Sequence, residues 1–487
     1  MNVAQKMIML SLCLAVLPLG GAFAEDRNIP DLPWEKRSDW IDVKTDVMPA
    51  AKGDGIADDT EALQAAFKMI KPGSTLYISA GTYRITKTIN LGGGQKNGGI
   101  AGGTIIGNGR STKIVWDGEP GGIMVKSLGY THSSYIGFVL DGRGKAATGL
   151  LHAGYLYETD MLYRHVAFLN FTGDAVSIGR KHDGNLETAE VLFENCLFEH
   201  CETGVNIGEY NDYDNCFASC EFRDCAQGIV VNYGNAYIRD CHFERSTVRD
   251  ILSNGSHSAS IRRCTSLDSR LFLEYSEATS PLTLQDCRID GWYDRRGAIL
   301  LNGAPVVMFD CVFGNPSTML LPEELRERFP IWPVKIIGKE TQRLIISNNI
   351  ITVKGKQEPL TRKSVLGDSP LGFECGRVYE IPAGERKGSL TSAKQSFLKT
   401  SVPVPSKIFD AKRDFGAKGD NKTDDTEAIQ KTIDAARAHS KDALAYLPSG
   451  SYYVSKTLEI SGSNYRFGGA SEYSRIDWKG ADGGAIV

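Results

Sequence analysis

Phe193-Glu194-Asn195-Cys196-Leu197-Phe198 is the stretch on which the fold turns, because its frame returns along the chain. Cysteines stand at 196, 220, 241, 264, 287 and 311, every 21 to 24 residues. Three residues ahead of them are Phe193, Phe217, Ile238, Ile261, Leu284 and Met308; two residues behind are Phe198, Phe222, Phe243, Ser266, Ile289 and Phe313. Directly before the cysteines come Asn195, Ser219, Asp240, Arg263, Asp286 and Asp310, mostly short polar types that tolerate a left-handed backbone or close a local turn. The frame extends to Tyr163, Val166 and Phe168 upstream and to Ile346, Asn349 and Ile351 downstream.

A second apolar segment follows each frame, and its alternation points Val176, Ile178, Val205, Ile207, Ile229 and Val231 inward. Helical spacing is absent here, and periods in the low twenties mark a solenoid whose turns stack. The reading is an all-β chain, a single-stranded right-handed parallel β-helix over about residues 74–352. Stacked coils bring equivalent residues to roughly 4.8 Å, so the six cysteines should form one internal row and the phenylalanines another. Cys201 and Cys225 form a shorter second rung, while Cys216 and Cys375 have no place in the frame. Free cysteine packs as a small hydrophobe. Without CxxC pairs or clustered histidines, the cysteines are not expected to bind metal.

One passage occurs twice. Ala51-Lys52-Gly53-Asp54 with Asp58-Asp59-Thr60-Glu61-Ala62-Leu63-Gln64 returns as Ala417-Lys418-Gly419-Asp420 with Asp424-Asp425-Thr426-Glu427-Ala428-Ile429-Gln430. The spacing Asp58-x-x-Glu61 suggests a capping box, and Ala62, Leu63, Ala66, Phe67 and Ile70 follow as an amphipathic stripe. A helix near 59–70 would cover the open end of a β-helix, whose bare edges invite aggregation. The acids Asp54, Asp58 and Asp59 are accordingly read as helix-start residues, not as a metal or catalytic cluster. The expected organisation is a signal peptide over 1–24, a β-helix domain over 25–355, a connector over 356–409 and the opening of a second, truncated module over 410–487.

The leader is read from Lys6, the apolar run Met7 to Leu19 and Ala22-Phe23-Ala24, with cleavage after Ala24. A secreted or periplasmic protein follows, since that run is shorter than the ~20 residues of a membrane span. A formal charge of −4 leaves no electrostatic footprint for nucleic acid. Oligomeric state is not encoded in any of these features.

With Gly53-Asp54-Gly55, Asp58-Asp59-Thr60, Ala62, Gln64 and Gly81-Thr82-Tyr83-Arg84-Ile85, the opening resembles the pectate-lyase superfamily branch of rhamnogalacturonase-like and tailspike-like proteins and the two-helix glucanases of glycoside hydrolase family 55. The resemblance implies a pectin-lyase-like solenoid acting on polysaccharide. Two openings in one chain resemble the tandem helices of family 55, whose acid lies in a second helix that this chain would not reach.

In such a solenoid the substrate lies along one outer face and its loops. Carboxylates, aromatics and amides interleave in the loops after the second strands, as sugar binding requires. Glycoside hydrolysis needs two carboxyl groups about 5–5.5 Å or roughly 6.5–9.5 Å apart. Asp174, Glu209 and Asp212 are the candidate acids and base. Lys181, His182, Asp183, Tyr210, Tyr213, Tyr233, Asn235 and Glu274 are candidate substrate contacts. Gly173-Asp174-Ala175-Val176-Ser177-Ile178-Gly179 has a limited likeness to family 28 polygalacturonases, but Gly173, Thr203 and Ile229-Val230-Val231 depart from that pattern. A lyase would need a base and a neutralising group for a uronate carboxylate. Lys181, His182 and Asp183 are the compact set for that reading, the only one to which calcium belongs; otherwise no cofactor or metal is expected. The third reading is a non-catalytic carbohydrate-binding or structural β-helix.

Overall fold

A computed structural model describes residues 28–92, 100–153, 158–179, 188–208, 212–277, 279–317, 333–337, 343–353, 355–361, 365, 378–381, 404–481 and 483–487. The coil around Cys196 shows how the frame works. Strand Thr188–Glu194 ends at Asn195, whose φ of 52° turns the chain; Leu197–Glu199 follows, His200 turns it again at φ 54°, and Thr203–Ile207 completes the coil. Repetition of these strands gives three parallel sheets, here sheets 1, 2 and 3 in that order. In the earlier coils one long strand, such as Glu158–Leu169, serves sheets 1 and 2 together. Sheet 3 stacks ten strands from Ile89–Leu91 to Val334–Ile336.

The residue before every framed cysteine is left-handed: Asn195, Ser219, Asp240, Arg263, Asp286 and Asp310 have φ between 50° and 59°. The six cysteines are buried and free, and thiols reach back to the preceding coil, as from Cys196 Sγ to Tyr163 O at 3.5 Å and from Cys220 Sγ to Phe193 O at 3.4 Å. Burial pushes the Cys196, Cys241 and Cys264 thiols up. Two aromatic ladders run beside them. Tyr163, Phe193 and Phe217 stack at 4.8 and 5.0 Å, and Phe168, Phe198, Phe222 and Phe243 at 5.0, 4.7 and 4.9 Å.

Sheet 3 supplies the space for the second ladder. A Cβ on Gly204 would lie 2.8 Å from the Phe222 ring, and one on Gly228 2.9 Å from the Phe243 ring. One coil on, Asp250 occupies the glycine position, and the aromatic is reduced to Ser266, which donates a short hydrogen bond to Asp250 Oδ2.

At the N-terminal end, helix α1 (Thr60–Lys68) buries Ala62, Leu63, Ala66 and Phe67 and packs on Ile89–Leu91, the first strand of sheet 3. The Gln64 amide imitates a neighbouring strand there, donating to Asn90 O at 2.9 Å and accepting from Asn90 N at 2.8 Å. The expected capping box does not form. The helix begins one residue after Asp59, whose carboxylate instead holds the preceding loop through Lys52 N (2.7 Å) and Gly53 N (3.0 Å). Gly53 has φ +62°, and a Cβ there would stand 2.9 Å from the Tyr83 ring. The second opening repeats each device with helix α2 (Thr426–His439), Asp425 on Lys418 N and Gly419 N, and Gln430 on Glu459.

The second opening has its own core, including Ile429, Ile433, Ala445, Leu447, Tyr452 and Val454. It lies against the first coils of the first module. Asp410 accepts from Ser38 N and Oγ at 2.9 and 3.0 Å, Asp39 accepts from Tyr446 OH and Ser449 N, and the Tyr473 ring covers Gly73 and Gly102. First coil therefore meets first coil, and a later coil of one meets later coils of the other. Among the described residues, two strands lie wholly within the stretch read as connector. Lys356–Pro359 turns back antiparallel on Ile350–Val353, and Val378–Ile381 adds a parallel rung to Leu344–Ser347, so the stack reaches beyond residue 355. No helix among the described residues is long and apolar enough to cross a membrane, and the leader lies outside the described residues.

Candidate functional site

Alternation along sheet 3 turns Val176, Val205, Ile229 and Ile251 into the core and leaves Ser177, Asn206, Val230, Leu252 and Glu274 on the outer side in one register. At the entry of the strands, Asp174, Thr203, Gln227 and Arg249 form a second outer row. The two rows are joined. Asn206 Nδ2 donates to Asp174 Oδ2 at 3.0 Å, Asn232 Nδ2 to Asn206 Oδ1 at 3.1 Å, and Arg249 Nη1 meets Glu274 Oε2 at 2.8 Å. A strip of acids, amides and one guanidinium, with Val230 and Leu252 between Asn206 and Glu274 in the outer row, thus crosses successive coils. Asn206, Gln227 and Arg249 were not singled out from sequence; their position opposite Asp174 and Glu274 in register was the available signal.

Asp174 belongs to this strip, although it is only 7% exposed. Asp212 does not. Its carboxylate is buried beyond the other end of the same strand, where it accepts from Thr188 N at 3.0 Å and fills the space a Cβ on Gly179 would need. Five residues from Asp174 to Gly179 correspond to about 16 Å of strand, so the structure does not bring Asp174 and Asp212 together as an acid and base. Glu158, two coils earlier at the same corner, does similar work, accepting from Gly129 N and Ser127 Oγ at 2.6 and 2.8 Å. Its other oxygen meets His152 Nδ1 at 2.8 Å, and His152 Nε2 meets Tyr163 OH at 2.8 Å, all three residues fully buried.

Asn235, read as a sugar contact, is buried and structural: its amide bonds Asp214 N, Tyr237 OH and Ser258 O. Tyr233 is half exposed. Tyr213 meets His257 edge to face at 4.5 Å. Glu274 is held by Arg249 as described. Glu209, Tyr210, Lys181, His182 and Asp183 lie outside the described residues.

For a cation, Glu199, His200 and Asp224 bring ligand atoms within 4.8 Å of one another. Both acids already face arginines. Arg245 grips Asp224 at 2.6 Å and holds its carboxyl below the usual range, and Arg223 stands 3.4 Å from Glu199. The geometry is that of an ion-pair ladder.

Residues 41–123 and 409–483 match the family model described as rhamnogalacturonase A/epimerase, pectate lyase-like, and residues 164–322 match that of the right handed beta helix region. Fold and matches together define a right-handed parallel β-helix protein with two pectate-lyase-like openings, which bears out the resemblance to the pectate-lyase superfamily. In Azotobacter vinelandii, Alginate lyase 7 is 63% identical over 49 residues, 10% of this chain and 6% of that protein. Mannuronan C5-epimerase AlgE1 of the same organism is 44% identical over 85 residues, 17% of this chain and 5% of that protein. The chain thus spans only 6% and 5% of these curated relatives. Among solved structures, the catalytic unit of a GH87 α-1,3-glucanase from Streptomyces thermodiastaticus aligns over 72% of this chain and 70% of its own, at 13% identity and a TM-score of 0.48.

Proposed function

We propose that this protein acts on an extended polysaccharide laid along the outer strip of sheet 3. The observation that carries the reading is that Asp174, Asn206, Gln227, Arg249 and Glu274 come from successive coils and yet stand in two adjacent rows on one face of sheet 3, with Asp174 bonded to Asn206 and Arg249 to Glu274. Coils about 4.8 Å apart present such groups at a repeat suited to a linear chain of sugars. Hydrolysis is the first reaction to test, with Asp174, at the entry of its strand, and Glu209, which follows the exit of the next strand, tested as separate candidate carboxyl groups.

Uronate chemistry is the second reading, and one observation favours it. The short, high-identity matches are to a lyase and an epimerase named for alginate and mannuronan, both polyuronates. Here Arg249 would face a uronate carboxylate, Lys181 or His182 would serve as base, and calcium would belong to the site. Export, with cleavage after Ala24, is part of the same proposal; a mature N-terminus at Glu25 would check it.

A polysaccharide panel read by reducing-end release and by absorbance of unsaturated uronates separates the outcomes. Reducing ends alone support hydrolysis, and the unsaturated product moves the chemistry to Lys181 and His182. Binding without either product supports a non-catalytic carbohydrate-binding protein.

A further inference from the structure

We propose that the outer face of sheet 1 around Tyr237, Arg239 and Arg262 binds a carboxylated glycan, at a surface separate from the strip on sheet 3. The inference rests on the reading that the protein meets a polysaccharide, and it names the chemical class.

Strands Ala236–Arg239 and Ala259–Arg262 pair in parallel with Tyr237 beside Ser260 and Arg239 beside Arg262. Elsewhere among the described residues, strand pairing sets two charged side chains in register at Asp58–Arg84, Arg164–Glu194, Glu199–Arg223 and Arg223–Glu244, each of opposite sign. Arg239–Arg262 is the one pair of like sign. Their neighbours in the row, Ala218 and Gln285, carry no charge. Asp240 Oδ2 lies 3.6 Å from Arg239 Nη1, but that carboxylate is already held by Arg263 at 2.6 and 2.8 Å. Like charges on adjacent strands destabilise a sheet, and an anion between the two guanidinium groups removes the repulsion.

Tyr237 says what kind of anion. It stands two residues before Arg239 and therefore on the same face. With Tyr233 it is one of only two Phe, Tyr or Trp rings that are exposed among the described residues. Asn235 Nδ2 donates to its hydroxyl at 3.1 Å and fixes the ring. Guanidinium forks take carboxylates with two parallel hydrogen bonds, and a fixed aromatic face beside them suits the C–H face of a sugar ring. Carboxylate and pyranose together specify a uronate chain.

The test measures affinity of the full chain for a polyuronate, a neutral β-glucan and inorganic polyphosphate. The double variant R239Q/R262Q should lose at least about tenfold in polyuronate affinity, whereas K113Q/R288Q, which removes the same charge from exposed positions elsewhere, should stay within about twofold. Without ligand, R239Q/R262Q should melt no lower than wild type, because a repulsion has been removed. Polyuronate should raise the wild-type Tm by more than that of the double variant, whose remaining shift reports the sheet 3 strip. Unchanged affinity in R239Q/R262Q, equal preference for the neutral glucan, or polyphosphate binding as tight as polyuronate would each overturn the proposal. Product release from the sheet 3 strip is scored separately, so loss of activity and loss of this surface are distinguishable.

Discussion

The guanidinium of Arg37 lies 4.3 Å from the ring centroid of Tyr446 and 4.7 Å from that of Trp40, so one cation is held between an aromatic of each module. Asp39 completes the contact by accepting from Tyr446 OH at 3.1 Å and from Ser449 N at 2.8 Å. A cation–π contact is worth about 0.5–2 kcal/mol, rising with desolvation. Arg37→Ala should therefore raise hydrogen exchange over residues 408–447 and speed proteolysis of the second opening, while leaving exchange in the coils around Cys241 unaltered. Equal exchange in wild type and variant would show that this contact does not hold the modules together. Excised, residues 404–487 would keep their small core but lose this surface and expose sheet edges, and should be cleaved faster than within the full chain.

Asp250 is the polar break in the aromatic ladder. Burial raises its pKa to about 6, against the hydrogen bond from Ser266, the nearby Ser246 and Ser269 hydroxyls and His242, with Tyr293 also close. Its folded pKa lies above the unfolded 3.8, so its stabilising contribution is full below about pH 3.8 and is lost as pH rises through 6. Two units correspond to about 3 kcal/mol. Asp250→Asn should be close to wild type at pH 4 and more stable above pH 6, as read from urea melts at both pH values. Parallel pH profiles for the two proteins would exclude this origin.

Cysteine reactivity follows from the ladder. Cys216 sits on the outward register of sheet 1, beside Leu192 and Tyr237, and is only partly buried. Native thiol titration should label it first among the described cysteines, and Cys216→Ser should abolish that early phase. The six framed cysteines should react only on unfolding. Substituting Cys241 by Leu should cost about 1–3 kcal/mol by overpacking a closed core.

The coils were legible because a single residue frame carries them. Cys196 and its equivalents, the residue before each and the apolar neighbours are set by one corner and one ladder. The second corner was not legible, because its left-handed position is filled by Asn170, His200, Asp224, Arg245 and Asp268 with no common type. Asp224 pairs with Arg245 and Asn170 with Asp141 across coils, so there the requirement falls on pairs and not on single residues. The Gly204–Phe222 fit is hidden for the same reason, since it joins residues of different coils. At the helix start, Asp58-x-x-Glu61 has the spacing of a capping box, yet Asp59 is occupied by the loop at Lys52 and Gly53. The candidate acids were legible as residue types only, for strand direction decides that Asp174 and Asp212 face different ends of one coil.

That separation gives a test of the candidate site. If Asp174 is a general acid or base, Asp174→Asn should lower the rate about 10²–10⁴-fold and leave the melting temperature near that of wild type, because Asn can still bond Asn206. Asp212→Asn should show the reverse. Its carboxylate is buried and bonded to Thr188 N, and weakening such an acceptor costs about 1–3 kcal/mol. It should therefore melt at lower temperature, with activity per folded molecule nearly kept below that temperature. A Glu209→Gln variant with the rate loss of Asp174→Asn, and no further loss when the two are combined, would identify the working pair. Full activity in Asp174→Asn would remove the entry row of sheet 3 from the chemistry and leave it a binding role.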